Sequence, residues 1–430
     1  MVPLFDMDYS EFLTYIFQRF SGNVKLGLER ITGVMNDMGN PQTRLKGIHI
    51  GGTNGKGSAC AACEAMLLAH GLKTGMNTSP HLIDYCERFR LNGKNVDFQT
   101  ILSLFQRYED IFNKWEASFF EITTAIAFQL FAENDTDAVV IEVGLGGRLD
   151  ATNLFVPTVS AITTIGLDHV KTLGGTLEQI AFEKAGIIKP NVPLVLGRIE
   201  ASPLKVILDR AAEKGAPVFL PEKDYLVNNI NNTFEGLKFD YQFRNYKFAA
   251  LQSNLLGRHQ ADNLALALTA FLLFGEAEGI AISEEKIRFG LQNIRWMGRM
   301  QVLRQEPTVI IDGAHNLQGV EALTANLREM FPERKFIFVV SILADKAYEQ
   351  MLKMLCPLAK RFYISKNTSE RAAEIEVQSA VVMAEGIECK TEQSVQEAYQ
   401  TALTDALPND IIIGAGSLYT VAEIIACEEK

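Results

Sequence analysis

Residues 47–58 read Gly-Ile-His-Ile-Gly-Gly-Thr-Asn-Gly-Lys-Gly-Ser, a short apolar stretch that leads into a glycine-rich turn. The small residues from Ser58 onward favour a helix. In such a strand, turn and helix unit, the backbone N–H groups of the turn and the positive end of the helix can surround a polyphosphate, and the Lys56 ammonium can reach its terminal groups. The stretch therefore predicts a phosphate-binding loop made of Gly52, Thr53, Asn54, Gly55, Lys56, Gly57 and Ser58.

This loop departs from the common phosphate-loop motif at two positions. The motif has a glycine five residues before Gly55 and a hydroxyl residue directly after the lysine, whereas the chain has Ile50 and Gly57 there. Since the missing hydroxyl normally helps to hold magnesium, Ser58 or side chains from elsewhere must hold the metal. An ordinary tight turn is the alternative, and the clustered glycines with Lys56 make it the less favoured one.

Length and charge bound the class of protein. At 430 residues the chain exceeds the length over which one core usually keeps growing, which predicts two domains. The net charge of −11, without a basic stripe, argues against nucleic acid or a membrane surface as partner. The acidic N-terminus (Asp6, Asp8, Glu11) does not resemble a signal peptide, and no apolar run is long enough to span a bilayer. We expect a cytoplasmic monomer.

Six cysteines in a chain of this length suit a reducing compartment and predict no disulfide framework. Cys60 and Cys63 have the spacing of a redox or metal-binding pair. They fall in the first turns of the helix predicted after the phosphate-binding loop, which favours buried core residues over a functional dithiol.

Short β-branched stretches alternate with helical patterns along most of the chain, which predicts βαβ units and a mainly parallel sheet. From Val227 to Leu251 polar and apolar residues alternate, which predicts antiparallel hairpins attached to that sheet. A helical stretch follows from Gln260 to about Phe274. The strands predicted in this first part are 47–50, 138–143, 159–164 and 193–196.

The periodicity breaks at residues 295–300, Arg-Trp-Met-Gly-Arg-Met, and the alternation then restarts. We therefore predict an α/β protein with a larger phosphate-loop domain, residues 1–296, followed by a smaller Rossmann-like α/β domain, residues 297–430. The strands predicted in the smaller domain are 309–312, 336–341, 362–365 and 410–413.

Residues 139–153, Val-Val-Ile-Glu-Val-Gly-Leu-Gly-Gly-Arg-Leu-Asp-Ala-Thr-Asn, place Glu142 near the end of a β-branched strand. A carboxylate on a buried strand is costly unless something pairs with it, and magnesium on nucleotide phosphates is the predicted partner. The alternative is a structural ion pair with Arg148.

A third predicted strand leads into Asp168 and His169, and Lys184 follows fifteen positions after the histidine. A single histidine is more often a hydrogen-bonded core residue than a ligand. Three strands that lead to Lys56, Glu142 and His169 at one edge of a parallel sheet favour a site instead. Ser79, in Thr-Ser-Pro-His-Leu, is a candidate for the missing magnesium hydroxyl, although this stretch also suits an ordinary turn.

In the smaller domain, residues 310–316 read Ile-Ile-Asp-Gly-Ala-His-Asn and place an acid and a histidine just after a strand. With Arg299, the side chains of Asp312 and His315 are predicted to close over a nucleoside triphosphate held by the larger domain.

These motifs resemble those of the folylpolyglutamate synthase family, including its bifunctional dihydrofolate synthase form, within the ATP-dependent Mur ligase superfamily. The resemblance covers nearly the whole chain. The glycine after Lys56 is this family's own variant of the phosphate loop, whereas muramyl ligases more often have threonine or serine there. The other matching motifs lie at residues 27–30, 39–41, 78–82, 87–93, 142–153, 166–169, 183–189, 257–263, 312–316 and 416–419.

The resemblance implies an ATPase domain followed by a Rossmann-like domain, and a ligase that forms an amide bond. ATP would phosphorylate the γ-carboxylate of a folate, the α-amine of L-glutamate would attack the acyl phosphate, and phosphate would leave. Because an amide does not form spontaneously from two ions in water, the acyl phosphate supplies both the driving force and the leaving group. Dihydropteroate remains open as a further substrate.

The resemblance also implies roles for the candidate residues. Residues 52–58 would cradle the phosphates, with Lys56 stabilising the transferring group. Ser79 and Glu142 would hold a first magnesium ion. His169 and Lys184 would lie around a second one, with Lys184 as a carbamate because a plain ammonium would repel the ion.

Further roles are implied around the nucleotide. Asn263 would lie near it, and Asp312, Arg299 and the catalytic candidate His315 would contact ribose and phosphate. Asp150 and Asn153 match the family motif without a role that the residues themselves suggest. Relatives often read Asp-Lys-Asp where this chain has Asp-Lys-Ala at 345–347, so no role is carried over for the third position.

Two other functions are considered. A Mur-type ligase of cell-wall precursors usually has a separate N-terminal domain, and only about 46 residues precede the phosphate strand here, too few for such a domain. A nucleotide-dependent binding protein without ligase chemistry would not need the 310–316 motif or the second-metal residues. Phe119, Phe120 and Glu121, at a predicted helix start, either border a pterin pocket or belong to the core, and the core is favoured.

Overall fold

The computed structural model describes residues 7–19 and 27–429. Asp6, one of the acidic residues used above, lies outside them. The described residues divide into two compact units. The first takes those in Met1–Asn228, Asp240–Leu251 and Asp262–Ile294, and the second takes those in Asn229–Phe239, Gln252–Ala261 and Arg295–Lys430.

The helices of the described residues alternate with strands along most of the chain. They are α1 Tyr9–Gln18, α2 Glu29–Asp37, α3 Lys56–Ala69, α4 Phe98–Lys114, α5 Phe119–Glu133, α6 Val170–Leu173, α7 Leu177–Lys184, α8 Ala201–Lys214, α9 Arg258–Glu278, α10 Glu284–Gln292, α11 Leu317–Met330, α12 Tyr348–Leu355, α13 Ile375–Ala384, α14 Val395–Asp405 and α15 Leu418–Glu428.

The strands fall into three sheets. They are β1 Gly47–Gly51, β2 Thr74–Asn77, β3 Phe89–Leu91, β4 Lys94–Asn95, β5 Ala138–Glu142, β6 Val159–Ile162, β7 Leu194–Leu196, β8 Val218–Phe219, β9 Tyr225–Thr233, β10 Gly236–Phe243, β11 Tyr246–Ser253, β12 Gln301–Gln305, β13 Thr308–Ile311, β14 Phe336–Val340, β15 Ala359–Ile364, β16 Cys389–Thr391 and β17 Ile411–Ala415.

The sheet of the first unit has the order β4-β3-β2-β5-β1-β6-β7-β8. Its strands are parallel from β2 to β8, and β3 and β4 add an antiparallel edge. β1 lies between β5 and β6, with Ile50 opposite Glu142 and Gly51 opposite Ile162. Because neighbouring parallel strands end at the same edge, the loops after β1, β5 and β6 are brought together there.

Local sequence explains why the flanking helices begin where they do. Ser118 accepts a hydrogen bond from the backbone of Glu121, whose carboxylate accepts one from the backbone of Ser118, so a capping box starts α5 at Phe119. Thr176 and Gln179 form the same arrangement at α7. An aromatic core beside the sheet includes the fully buried Phe12, Phe105, Phe112, Phe128 and Phe131. Each such side chain stabilises the fold by roughly 1.5–3 kcal/mol.

The antiparallel hairpins predicted for residues 227–251 are present, but they are not attached to the parallel sheet as predicted. β9, β10 and β11 form a three-stranded sheet of their own, in the order β11-β10-β9. Alternate residues of β10 are buried, and the hydroxyls of Tyr241 and Thr269 on α9 are 2.7 Å apart. The alternating pattern therefore gives this sheet one buried face, which packs on α9. The edges of this sheet do not pair with the parallel sheet.

The sheet of the second unit has the order β12-β13-β17-β14-β15-β16. It is parallel except for the edge strand β12, which is antiparallel to β13. The predicted fold class, a mainly parallel phosphate-loop domain and a smaller Rossmann-like α/β domain, is confirmed. The helices of residues 7–19 and 27–429 include none that is long and apolar enough to cross a membrane.

Candidate functional site

The loop between β1 and α3 needs glycine at two positions. Gly52 and Gly55 have φ angles of +141° and +86°, which disfavour any other residue. A Cβ atom at Gly52 would lie 1.9 Å from the hydroxyl of Thr163, and one at Gly55 would lie 2.3 Å from Oδ1 of Asn263. α3 then begins at Lys56 without a side-chain cap, so its first N–H groups are directed at this loop.

The residues that follow β6 hold this loop in place. Thr53 N–H donates to the carbonyl of Thr164 at 2.8 Å, and Asn54 N–H donates to the Thr164 hydroxyl at 3.0 Å. The Thr163 hydroxyl donates to the carbonyl of Asn54 at 2.6 Å. The sequence prediction missed both threonines, although a Thr-Thr pair at the end of the strand next to a phosphate loop was available as an indication.

Three predicted residues from different strands meet at the sheet edge. Lys56 Nζ donates to the carbonyl of Thr53 at 3.2 Å and lies 3.9 Å from Glu142 Oε1. Ser79, two residues after β2, donates its N–H to Glu142 Oε2 at 3.0 Å. The side chains of Lys56 and Glu142 are 16% and 5% exposed, so the ammonium and the carboxylate interact in a largely dry environment.

The alternative role for Glu142, an ion pair with Arg148, is wrong. Arg148 pairs with Glu183 at 2.9 Å instead. The glycine-rich turn between Glu142 and Arg148 carries the arginine toward α7, which is why residues close in sequence do not pair.

Lys184 lies at the end of α7 and is buried, with 5% of its surface exposed. Its Nζ donates to the carbonyl of Gly52 at 2.7 Å. Burial, and next the positive charge of Lys56, lower the Lys184 pKa to about 7. The structure therefore attaches this lysine to the loop of residues 52–58.

His169 is not a core residue, so that alternative is wrong. Its side chain is 46% exposed, its backbone is left-handed with φ of +50°, and Nε2 lies 4.0 Å from Asp168 Oδ1. It stands directly before the short helix α6, at the carboxyl edge of the sheet.

The donor atoms at this sheet edge indicate which metal ion could bind there. Residues 7–19 and 27–429 contain no group of three or more His, Cys, Asp or Glu side chains arranged to hold a metal ion. Glu142 and Ser79 supply one carboxylate and one hydroxyl. Magnesium typically takes one or two carboxylates and completes its shell with water and substrate phosphates, so this donor set fits magnesium on a nucleotide.

The sequence suggested no role for Asp150, and the structure gives it a structural one. Its carboxylate accepts hydrogen bonds from Leu145 N–H at 2.8 Å and from the N–H and hydroxyl of Thr152. Burial raises the pKa of this carboxyl group. The Thr152 hydroxyl also lies 2.9 Å from His49 Nε2, so the loop after β5 is tied to β1.

In the second unit, the candidate residues bond mainly to their own backbone surroundings. Asp312 accepts from Met300 N–H and Ala314 N–H, both at 2.9 Å. Arg299 donates to the carbonyl of Gly298 at 3.0 Å, and His315 Nδ1 lies 2.8 Å from the carbonyl of Gly313.

Two sequence alternatives are decided in favour of the core. Cys60 and Cys63 are fully buried, and burial raises both thiol pKa values, so neither suits redox or metal chemistry. Phe119 belongs to the aromatic core, Phe120 packs against it, and Glu121 is buried with its carboxylate 3.2 Å from Arg30 Nε.

Of the residues at 345–347, Asp345 forms an ion pair with Arg371 at 2.5 Å.

Two family models match the chain. The Mur ligase middle domain matches residues 50–271, and the Mur ligase glutamate ligase domain matches residues 298–418. The dihydrofolate synthase/folylpolyglutamate synthase of Bacillus subtilis is 32% identical over 97% of this chain and 98% of its own length. The folylpolyglutamate synthase of Lacticaseibacillus casei is 31% identical over 97% and 98%.

The chain belongs to the folylpolyglutamate synthase family of Mur ligases. Solved structures agree with this assignment. Mycobacterium tuberculosis folylpolyglutamate synthase complexed with ADP has a TM-score of 0.92 and 29% identity, and the match covers 98% of this chain and 99% of that one. E. coli FolC in complex with DHPP and ADP has a TM-score of 0.89 and 30% identity, with coverage of 100% and 99%. The predicted family and the predicted class, an ATP-dependent ligase, are confirmed.

Proposed function

We propose that this chain joins L-glutamate to the γ-carboxylate of a folate, with ATP as the source of energy and an acyl phosphate as the intermediate. The observation that carries the proposal is the loop of residues 52–58, with Lys56 lying 3.9 Å from Glu142 at the sheet edge, in a chain that also matches a glutamate ligase domain. We keep residues 1–296 as the ATP-binding domain and 297–430 as the ligase domain, in a cytoplasmic monomer.

The first step transfers the terminal phosphoryl group of ATP. A carboxylate oxygen of the folate forms a bond to the γ-phosphorus, the bond from that phosphorus to the bridging oxygen breaks, and ADP leaves with the electron pair. Backbone N–H groups of residues 52–58, other than those of Thr53 and Asn54 that donate to Thr164, would hold the phosphates. Asn263 would lie beside the nucleotide, and the Lys56 ammonium would offset charge on the transferring group. Magnesium held by Ser79 and Glu142 would neutralise charge on the phosphate oxygens.

The second step forms the amide. The neutral α-amine of glutamate attacks the carbonyl carbon of the acyl phosphate, and the tetrahedral intermediate expels inorganic phosphate as the amine proton passes to solvent. Asp312, His315 and Arg299 are proposed to contact ribose and phosphate, with His315 acting in catalysis. Their present hydrogen bonds to backbone groups would orient them for that role.

Lys184 is proposed to act as a carbamate that, with His169, holds a second magnesium ion. Its burial beside Gly52 supports this role, because a buried amine is neutral more often than an exposed one. Carbamate formation needs the neutral amine, which attacks the carbon of CO2 and releases a proton to solvent. A carbamate would also replace a positive charge near Lys56 by a negative one. Lys184→Ala should be nearly inactive and partly rescued by acetate, whereas an unmodified Lys184 paired with Glu142 in a complex with ATP and magnesium would refute the role.

Dihydropteroate is a second candidate substrate. The relatives from B. subtilis and E. coli carry both synthase names, and E. coli FolC has been solved with DHPP and ADP. A cell-wall ligase and a binding protein without ligase chemistry are less favoured. The relatives from B. subtilis, L. casei and E. coli all carry the name of a folylpolyglutamate synthase.

ADP release measured with and without glutamate separates these functions. Tetrahydrofolate, dihydropteroate and a muramyl precursor would be compared as acceptors, and the products analysed by mass spectrometry. We expect glutamate-dependent ADP release and a glutamylated product with tetrahydrofolate. Turnover with the muramyl precursor alone, or nucleotide binding without any glutamylated product, would contradict the proposal.

A further inference from the structure

Asn153 joins the two loops that carry the candidate residues Glu142 and Lys184. Its side-chain amide donates to the carbonyl of Arg148 at 3.0 Å and to the carbonyl of Gly186 at 3.1 Å. Its Oδ1 and its backbone carbonyl accept from Lys189 Nζ at 2.8 and 2.5 Å. Both amide hydrogens and the amide oxygen are thus used, and the reversed orientation would place oxygen against two carbonyls.

The same two segments are also joined on the other side of Lys184. The backbone N–H of Arg148 donates to the carbonyl of Glu183 at 2.7 Å. The segments approach so closely that a Cβ atom at Gly186 would lie 2.3 Å from Arg148 Cα, and one at Gly147 would lie 3.0 Å from the carbonyl oxygen of Lys184. The backbone around Lys184 is therefore held before it, at Glu183, and after it, at Gly186.

This arrangement fixes where the Lys184 amine can reach. The lysine side chain is buried and its Nζ meets the Gly52 carbonyl at 2.7 Å, so a shift of the segment that carries it would move the amine away from the phosphate-binding loop. Lys189 bonds to Asn153 alone in this cluster and contributes by holding the amide in its orientation.

We propose that Asn153, oriented by Lys189, is a positioning residue for Lys184. The proposal rests on the function proposed above for Lys184. It gives a role to Asn153 that the sequence did not suggest, and it separates this residue from the groups that would touch nucleotide or folate.

Asn153→Asp tests the proposal with almost no change in shape. The new oxygen would face the carbonyls of Arg148 and Gly186, while the pairing with Lys189 would remain. We expect kcat to fall about tenfold to hundredfold, as it does when supporting residues are lost or a catalytic group moves by about 1 Å. The KM for ATP should change much less, because residues 52–58 and Thr163 still form the loop.

A measurement that does not depend on turnover is the rate at which Lys184 is acetylated by acetic anhydride, followed by peptide mass spectrometry. In the parent protein Lys184 should react slowly, because its Nζ is buried and is either hydrogen-bonded to the Gly52 carbonyl or carbamylated. In Asn153→Asp it should react several-fold faster. Lys189→Met should behave in the same direction, and Lys189→Arg should recover part of the parent kcat, since a cation is restored.

Glu183→Gln is the matched control. It removes the charge of the ion pair with Arg148 that links the same two segments, but leaves the bonds of Asn153 in place. Glutamine keeps an Oε1 that can accept from the Arg148 guanidinium, so its kcat should stay within about twofold of the parent. The proposal is overturned if a folded Asn153→Asp protein keeps the parent kcat and labelling rate, or loses no more than Glu183→Gln.

Lys184→Ala distinguishes failure of this proposal from failure of the function on which it rests. Near-normal turnover of Lys184→Ala would refute the role of Lys184 itself. An inactive Lys184→Ala beside a fully active Asn153→Asp would leave that role standing and refute positioning by Asn153. If Asn153→Asp does not fold, Lys189→Met and Lys189→Arg decide the question by the same measurements.

Discussion

Glu142 and Asp312 are both carboxylates near the end of a buried parallel strand, but their oxygens have different partners. Asp312 gives both oxygens to backbone N–H groups of its own unit, at Met300 and Ala314. Glu142 gives one oxygen to the N–H of Ser79, and the other lies 3.9 Å from the Lys56 ammonium. Both carboxylates therefore hold backbone N–H groups, and Glu142 in addition faces the ammonium of Lys56.

Lys56→Ala should have the largest effect on activity, because Lys56 lies beside Glu142 at the sheet edge. The ammonium is proposed to offset charge on the transferring phosphoryl group, so its loss should cost on the order of 3 kcal/mol or more, about two orders of magnitude in kcat/KM. The thermal-unfolding midpoint should change little. Lys46→Ala, which removes an exposed ion pair with Glu278, is the control and should keep the parent activity.

Near-normal turnover in a folded Lys56→Ala protein would contradict the assignment of residues 52–58 as the phosphate-binding loop. Lys56 is the first residue of α3 and its side chain is only 16% exposed. The thermal-unfolding midpoint of the variant is therefore measured together with its activity.

Glu142→Gln should have the next largest effect. The change keeps the shape but removes one negative charge from the proposed magnesium site, and a bound metal contributes several kcal/mol to phosphoryl transfer, so kcat should fall on the order of a hundredfold. The magnesium concentration for half-maximal activity should also rise. If the variant titrates with magnesium as the parent does, Glu142 is structural.

Asp312→Ala should cause a loss of stability in the second unit, in addition to the loss of its proposed contact with the nucleotide. Removal of the carboxylate leaves two buried N–H groups without their acceptor, which should cost about 2–3 kcal/mol. Faster hydrogen exchange at residues 298–316 would report it. Asp345→Ala, which removes an exposed ion pair with Arg371, should leave that exchange unchanged, and equal effects in both variants would erase the contrast with Glu142.

The parallel strands that the sequence predicted share one property, burial on both faces. β1, β5 and β14 are buried at every position and appear as continuous apolar stretches. The strands that were missed are β2, β3, β4, β8, β12 and β16. β2 is buried but reads Thr-Gly-Met-Asn, without a β-branched run, and the others are short or partly exposed. The hairpin sheet was recognised but attached to the wrong partner, because alternation indicates one buried face and does not say what covers it.

The site was predictable to the extent that sheet order alone determines it. Parallel strands bring their carboxyl ends together, so the meeting of Lys56, Glu142 and Ser79 follows once β1, β2 and β5 are neighbours. The contacts of Thr163, Thr164 and Asn153 depend on the backbone path of loops, which no periodic pattern encodes. These contacts are apparent only from the three-dimensional positions of the loops.

Acid is expected to destabilise β1 more than β13. His49 lies in β1, fully buried, and burial lowers its pKa to about 3, from an ordinary value near 6.5. The unfolded chain therefore binds a proton below pH 6.5 that the folded chain does not bind until far lower pH. Stability contributed by the neutral imidazole is complete above pH 6.5 and is lost as the pH falls, at about 1.4 kcal/mol per pH unit, or about 2 kcal/mol at pH 5.

His49→Gln should remove this acid sensitivity, because glutamine does not titrate and can still donate to the Thr152 hydroxyl. The difference in hydrogen exchange of β1 between pH 7 and pH 5, corrected for the intrinsic rate, should be smaller in the variant by about 2 kcal/mol. β13, whose residues Thr308–Ile311 do not titrate, should show no such difference between variant and parent. An unchanged acid sensitivity of β1 in His49→Gln would mean that other groups, such as the half-buried His81, control it.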